Sequence, residues 1–151
     1  MARPSDVSVG VGLIIARRSP EATGPADIEV LLMRRAGSHA AGVWAVPGGW
    51  VDADDRHPID TVRREAVEED NVSIRHAKLV GVTSEDFVDF RSVTLYYLAC
   101  AWNGEWQGEP KICEPHKCTE LMWHPVRKRI PQPAFPGLRD GVDYAVQAVL
   151  A

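Results

Sequence analysis

The chain has 151 residues, 45% of them hydrophobic and 25% charged, enough for one domain with a real core and too few for two. Its formal net charge of −4 gives no general basic footprint; this argues against a nucleic-acid polymer as partner and leaves room for a small ligand whose phosphates meet local arginines. No apolar run is long enough to span a membrane, and three cysteines without a CxxC pair point to reduced thiols in the cytoplasm.

The opening residues, MARPSDVSV, lack the apolar stretch of a signal peptide. Residues 8–16 (SVGVGLIIA) read as a strand and residues 29–35 (EVLLMRR) as its partner. The connection RRSPEATGPAD is rich in Pro, Gly and Asp, so it reads as an exposed hairpin loop. A second loop covers residues 37–42, a short strand residues 43–46, and PGGW at 47–50 is expected to turn sharply. From Pro58 to Asp70 the pattern becomes helical. Ile59, Val62 and Ala66 recur at helix spacing, Pro58 suits a first turn, and Asn71 follows as a left-handed cap. Strand patterns return at 77–85 and 92–102, a long loop runs over 103–118, and a strand at 120–125 and a helix at 141–151 close the chain. Strands, one helix, more strands and a last helix argue for an α+β layered domain over 1–151. Trp44, Trp102 and Trp123 alternate with apolar neighbours and are expected in the core. Cys113, His116 and Cys118 lack the spacing of common zinc sites, and no second pair exists.

The helix over 58–70 carries its acids at the wrong end. Glu65, Glu68 and Glu69 are spaced i, i+3, i+4 and share one stripe beside the apolar one. Glu68, Glu69 and Asp70 fill the last turn, where the macrodipole disfavours each acid by roughly 0.3–1 kcal/mol. A plain solvated acidic face would place acids toward the helix start, with compensating lysines. A bound divalent cation would neutralise the stripe, and Mg²⁺ favours a few carboxylates together with water and phosphate oxygens.

The segment GGWVDADDRHPIDTVRREAVEEDNV resembles the Nudix box, which runs Gly, five residues, Glu, seven residues, Arg-Glu, apolar, any, Glu-Glu, any, Gly, apolar. Arg64, Glu65, Ala66, Glu68, Glu69 and Val72 match its second half, and Gly48 and Gly49 its start. Three departures stand out: Asp55 where the first Glu is expected, one extra residue before Arg64, and Asn71 in place of the late Gly. The insertion is expected in the loop around residues 56–58. VLLMRRAGSHAAGVWAVPGGW and GEPKICEPHKCTELMWHP are similar to flanking segments of the Nudix subgroup that cleaves nucleoside triphosphates, so the resemblance spans most of residues 7–126.

The resemblance implies a Nudix-type α/β/α sandwich with a mixed central sheet. It also implies Mg²⁺-dependent hydrolysis of a diphosphate bond in a nucleoside triphosphate, giving nucleoside monophosphate and pyrophosphate. Hydrolysis of ADP-ribose or a nucleotide sugar is the alternative within the family, and a non-catalytic nucleotide-binding domain the alternative outside catalysis. By the same resemblance Glu65, Glu68, Glu69 and the carbonyl of Gly48 hold Mg²⁺, or Mn²⁺ in its place. Glu68 or Glu69 serves as base, and Arg64 orients Glu68. Arg34 and Arg35 end a strand beside the box, and their side chains point to opposite faces, so one of the two is expected at the substrate phosphates. Gly49 and Trp50 adjoin the substrate. Glu114 either adds a carboxylate to the metal site or is an exposed loop acid. Phe87, Phe90 and Lys117 are weaker candidates for the pocket rim. A homodimer is the form many relatives take.

Overall fold

The computed structural model describes residues 7–37 and 40–151. The residues read for a leader, 1–6, and two of the 37–42 loop, Ser38 and His39, lie outside the described residues. Strand β1 (Val7–Arg18) is long and buried without interruption from Gly10 to Ala16. A strand covered on both faces is apolar throughout, not alternating, and β1 is covered on both. Val11, Leu13 and Ile15 pack toward helix α1 (Pro58–Asp70), with Val62 and Ala66. Ile14 and Ala16 pack toward helix α2 (Leu138–Leu150), with Leu138, Val142 and Ala145.

The sheet is mixed. Strand β1 runs antiparallel to β2 (Ile28–Arg35) and parallel to β7 (Arg91–Cys100), and β6 (Lys78–Asp86) lies outside β7. On the other flank β2 pairs with β3 (Trp44–Ala45) and with β9 (Cys118–Pro125). With one helix on each face, the layers are α/β/α.

The feature that creates a site is a split. Strands β1 and β2 pair only at Ala16–Val30, Arg17–Glu29 and Arg18–Ile28. Beyond that point β1 pairs with β4 (Gly48–Trp50), in register Gly10–Trp50, Val11–Gly49 and Gly12–Gly48. PGGW therefore does more than turn. The Leu13 N–H donates to the Pro47 carbonyl at 2.7 Å, and a Cβ on Gly48 would stand 2.0 Å from the Val11 oxygen. Only glycine admits so close a backbone approach.

The helix over 58–70 has the expected bounds. Two short strands were not foreseen: β5 (Ser73–Ile74) pairs with β8 (Trp106–Gln107), inside the predicted 103–118 loop. The strand expected to reach residue 102 stops at Cys100, and Ala101–Asn103 form a 3₁₀ turn. Trp44 is buried. Trp102 and Trp123 are half-buried, with the guanidinium groups of Arg18 and Arg17 stacked 4.2 Å and 4.1 Å from their ring centres. Among the described residues no helix is long and apolar enough to cross a membrane.

Candidate active site

Helix α1 is fixed at both ends by local chemistry. At its start the His57 Nδ1 accepts from the Ile59 N–H at 3.1 Å, and the Asp60 carboxylate accepts from the His57 N–H at 3.1 Å. This is a capping box with His in the first position. At its end Asn71 adopts the left-handed conformation, φ 59°. The segment before β9 then folds over this end. The Lys111 N–H donates to the Asp70 carbonyl and the Cys113 N–H to the Glu69 carbonyl, each at 3.1 Å. These bonds satisfy carbonyls that a helix end leaves open.

Asp55, the departure from the box, ties the preceding loop to the helix. It accepts from the Asp52 N–H at 2.9 Å, from Thr61 Oγ1 at 2.7 Å and from Arg64 Nη2 at 2.9 Å. Those bonds, the backbone one foremost, hold its pKa down at about 2. Arg64 in turn reaches Glu65 Oε1 at 2.9 Å and Glu68 Oε2 at only 3.8 Å. The residue that Arg64 orients is chiefly Glu65. The extra residue is absorbed in the turns before the helix, and Asp55 still meets Arg64 across it.

The acidic stripe is divided by packing. Glu65 and Glu69 turn inward to a cavity of about 430 Å³ that Gly48 and Gly49 also line. Glu69 is 8% exposed, and its Oε2 accepts from the Gly48 N–H at 3.4 Å. Burial, then the hydrogen bond and charge of Glu65, push its pKa up to about 9. Glu68 faces solvent, its side chain 52% exposed. Asp70, at 1% exposed, is buried on the far side of the last turn, where burial and then the charge of Glu114 raise its pKa to about 7. Both Asp70 carboxylate oxygens and Glu114 Oε1 are buried without a hydrogen-bond partner. Glu114 does not line the cavity; it stands beside Asp70 and 3.6 Å from Lys117 Nζ. Among the described residues no three carboxylate, imidazole or thiol groups are already gathered to hold a metal ion. The helix end nevertheless concentrates buried carboxyls that force up one another's pKa values. A divalent cation fits that donor set, because positive charge there relieves the repulsion and desolvation.

The two candidate arginines part as strand alternation requires. Arg35 lines the cavity, with its guanidinium 5.4 Å from the Phe135 ring centre and the charge of Glu69 near it. Arg34 pairs with Glu120 at 3.2 Å and donates to the Gly42 carbonyl at 3.2 Å. Trp50 lines the cavity, 44% exposed, and meets Phe90 edge-on at 5.8 Å between ring centres. Phe90 stacks on Phe87 at 4.8 Å, and Phe87 lies 6.0 Å from Phe135. Phe87 and Phe90 do not themselves line the cavity; they join its two ring walls, Trp50 and Phe135, whereas Lys117 and His116 line it directly. Phe135, Ser92, Thr94 and Tyr96 also line the cavity and were not singled out in the sequence. Ser92, Thr94 and Tyr96 are alternate residues of β7, and period-two spacing with hydroxyls was the available signal.

Comparison with known proteins matches residues 8–142 to the NUDIX domain model. A curated relative, the nucleoside triphosphate pyrophosphatase/Nudix hydrolase fusion protein of Bifidobacterium longum (strain NCC 2705), is 34% identical over 115 residues. That alignment covers 76% of this chain and 23% of the relative, so the chain spans about a quarter of the relative's length. The crystal structure of a MutT NUDIX hydrolase from Burkholderia pseudomallei is 28% identical with a TM-score of 0.74, covering 93% of this chain and 98% of that one. The NUDIX domain of Shewanella oneidensis NrtR, solved as a complex with ADP ribose, shares the fold at 18% identity and a TM-score of 0.77, covering 96% and 90%.

Proposed function

The chain belongs to the Nudix family of pyrophosphate-bond hydrolases, and we propose that it cleaves a nucleoside triphosphate to nucleoside monophosphate and pyrophosphate. The observation that carries this reading is the Glu65–Glu69 pair facing the same cavity as Arg35, Trp50 and Phe135. Carboxylates for a cation, a cation for phosphate and rings for a base meet in one space.

In this reading Glu65, Glu69 and the Gly48 carbonyl would hold Mg²⁺ or Mn²⁺, with Glu68 on the same helix as the further carboxylate ligand. When bound, the metal neutralises charge developing on the phosphates and lowers the pKa of the attacking water. The protein's own groups do the rest by position. Arg64, pinned by Asp55, keeps the Glu65 carboxylate at its place. Arg35 pairs with a phosphate oxygen at the cavity wall. One of the helix carboxylates, Glu68 or Glu69, accepts the proton of the attacking water. Trp50 and Phe135 close the sides on the base and exclude water.

The test is phosphate release from a panel of nucleoside triphosphates, ADP-ribose and nucleotide sugars, with Mg²⁺ and auxiliary pyrophosphatase or phosphatase. Turnover of at least one triphosphate well above the diphosphate-linked compounds is expected. Turnover confined to ADP-ribose or a sugar nucleotide would replace the reading, and tight binding without turnover would make the domain a nucleotide sensor.

A further inference from the structure

Glu85 is a buried carboxyl that the hydrolysis does not use. It lies on β6, 5% exposed, directly opposite Ser92 of β7, and Thr83 lies directly opposite Thr94. Cross-strand partners share a face of the sheet, so these four polar side chains gather on the α2 side. Three hydroxyls donate to Glu85. Ser92 Oγ and Thr94 Oγ1 reach Oε2 at 2.7 Å and 3.2 Å, and Thr83 Oγ1 reaches Oε1. Helix α2 begins against the same group. Its N-cap, Gly137, has φ 87°, and a Cβ there would stand 2.3 Å from Glu85 Oε1. The positive end of the helix is thereby brought up to the carboxylate.

The consequence is one of hydrogen-bond direction. A carboxylate only accepts, and a serine or threonine hydroxyl has a single hydrogen to give. Ser92 and Thr94 give theirs to Glu85, so toward anything else they present lone pairs. Both residues line the cavity into which α1 projects Glu65 and Glu69; Thr94 is half-buried and open to it, whereas Ser92 is only 1% exposed. Trp50 and Phe135, at the same cavity, offer ring faces for a base.

We propose that Glu85, acting through Thr94, makes this wall a hydrogen-bond acceptor surface that selects a nucleobase bearing an exocyclic amino group over its oxo counterpart. The inference rests on the cavity taking a nucleotide, as in the proposed function. Thr94 is the specificity-determining contact; Glu85 and the buried Ser92 that shares its Oε2 are positioning residues. An amino group donates to the Thr94 hydroxyl oxygen. An oxo group in its place sets lone pair against lone pair and leaves both sides unpaired, the kind of mismatch that polar sites reject most strongly.

Matched pairs isolate that one substitution. Binding of AMP against IMP, and of CMP against UMP, is measured by calorimetry without metal, on wild type, Glu85→Gln, Thr94→Val and Thr94→Ser. In wild type the amino member of at least one pair binds about tenfold tighter or more. In Glu85→Gln one carboxylate oxygen becomes an NH₂ donor. Set toward Ser92 and Thr94, it donates to them and frees their hydrogens, so the preference falls below about threefold. Set toward Thr83, it leaves the preference to be removed by Thr94→Val. Thr94→Val loses it likewise, and Thr94→Ser keeps it; these two carry the test if Glu85→Gln does not fold. With ATP against ITP, the loss in Glu85→Gln falls on KM for ATP and not on kcat. Equal binding within both wild-type pairs overturns the proposal. So does a preference that survives Glu85→Gln and Thr94→Val, or no binding of any monophosphate at millimolar concentration. If the base preference is present but no triphosphate is turned over, the triphosphate reading falls and the amino-base wall stands.

Discussion

Gly49→Ala tests whether the position of Glu65 matters to the chemistry. A Cβ on Gly49 would stand 2.5 Å from Glu65 Oε1 and 2.6 Å from its Cδ. Moving that oxygen from 2.5 Å to the 3.4 Å of an ordinary van der Waals contact requires about 0.9 Å. The Glu65 side chain is 13% exposed and clamped by Arg64 at 2.9 Å, so it yields as a unit toward the cavity. A misplacement near 1 Å in a catalytic constellation costs about 10²-fold, or about 2.7 kcal/mol of barrier. Stability moves little. Gly49 is not among the positive-φ glycines, so alanine fits the backbone and gains about 0.4–1 kcal/mol from a stiffer unfolded chain. Loosening the Arg64–Glu65 pair returns a similar amount, about 0.2–1 kcal/mol. The expected variant unfolds in urea within about 1 kcal/mol of wild type and loses about 10²-fold in kcat/KM for its best nucleotide. Wild-type kcat/KM in a folded Gly49→Ala protein would refute the placement of Glu65 at the reacting phosphates. A loss of several kcal/mol in stability would refute the local-displacement reasoning.

Glu69→Gln should abolish turnover and leave the metal-free protein as stable as wild type or slightly more so. Burial and Glu65 already push the Glu69 pKa up to about 9, and the amide removes an ionisable group from that place. A thermal melt with a chelator and the phosphate-release assay check both halves, and retained activity counts against the site. Asp55→Asn should weaken the fold in a pH-dependent way. The Asp55 pKa is depressed from 3.8 to about 2 in the folded chain, so its contribution is complete above about pH 4 and disappears as pH falls toward 2. Urea midpoints for wild type and variant should differ by a constant amount at pH 5–7 and converge below pH 4; a gap that persists undiminished to low pH means that Asp55 is not the source. Gly81→Ala is the control away from the site. Its Cβ would lie 2.1 Å from Tyr144 Cδ2, where α2 crosses β6. Such overpacking costs about 1–3 kcal/mol in the urea midpoint, with kcat per folded molecule unchanged; a fall in kcat would show that the α2–β6 contact reaches the catalytic groups.

What could be read in the sequence followed the range of the signal. Helix α1 was legible end to end because Pro58 and Asn71 are local signals, and the Glu65–Glu69 stripe because helix spacing is local too. Which acids of the stripe face the cleft was not. Glu68 points to solvent, and Asp70 is buried by the segment that donates the Lys111 and Cys113 N–H groups to the helix end. That segment lies forty residues downstream, outside any periodicity window. PGGW was read as a turn because paired glycines usually signal one. Here Gly48 serves a backbone approach to Val11, a contact with a strand more than thirty residues earlier. Strands β5 and β8, two residues each, are too short to show alternation.

The cavity itself is written in the chain as a change of character along two rows. On the α2 side β1 presents Gly10, Gly12, Ile14 and Ala16, and β7 presents Ser92, Thr94, Tyr96, Leu98 and Cys100. The parallel register sets Ala16 beside Cys100, Ile14 beside Leu98, Gly12 beside Tyr96 and Gly10 beside Thr94. At one end both rows are apolar and fill the core with Leu138 and Val142. At the other, β1 gives up its side chains and β7 exchanges hydrocarbon for hydroxyl. Tyr96 marks the boundary, packed over Gly12. Neither row signals a pocket alone, since two glycines in a strand and two hydroxyls in a strand are each ordinary. Only the register makes them coincide, and register is a tertiary fact. The half of the cavity that α1 builds was therefore legible from one helix, whereas the opposite half depends on residues from β1, β6, β7 and the start of α2.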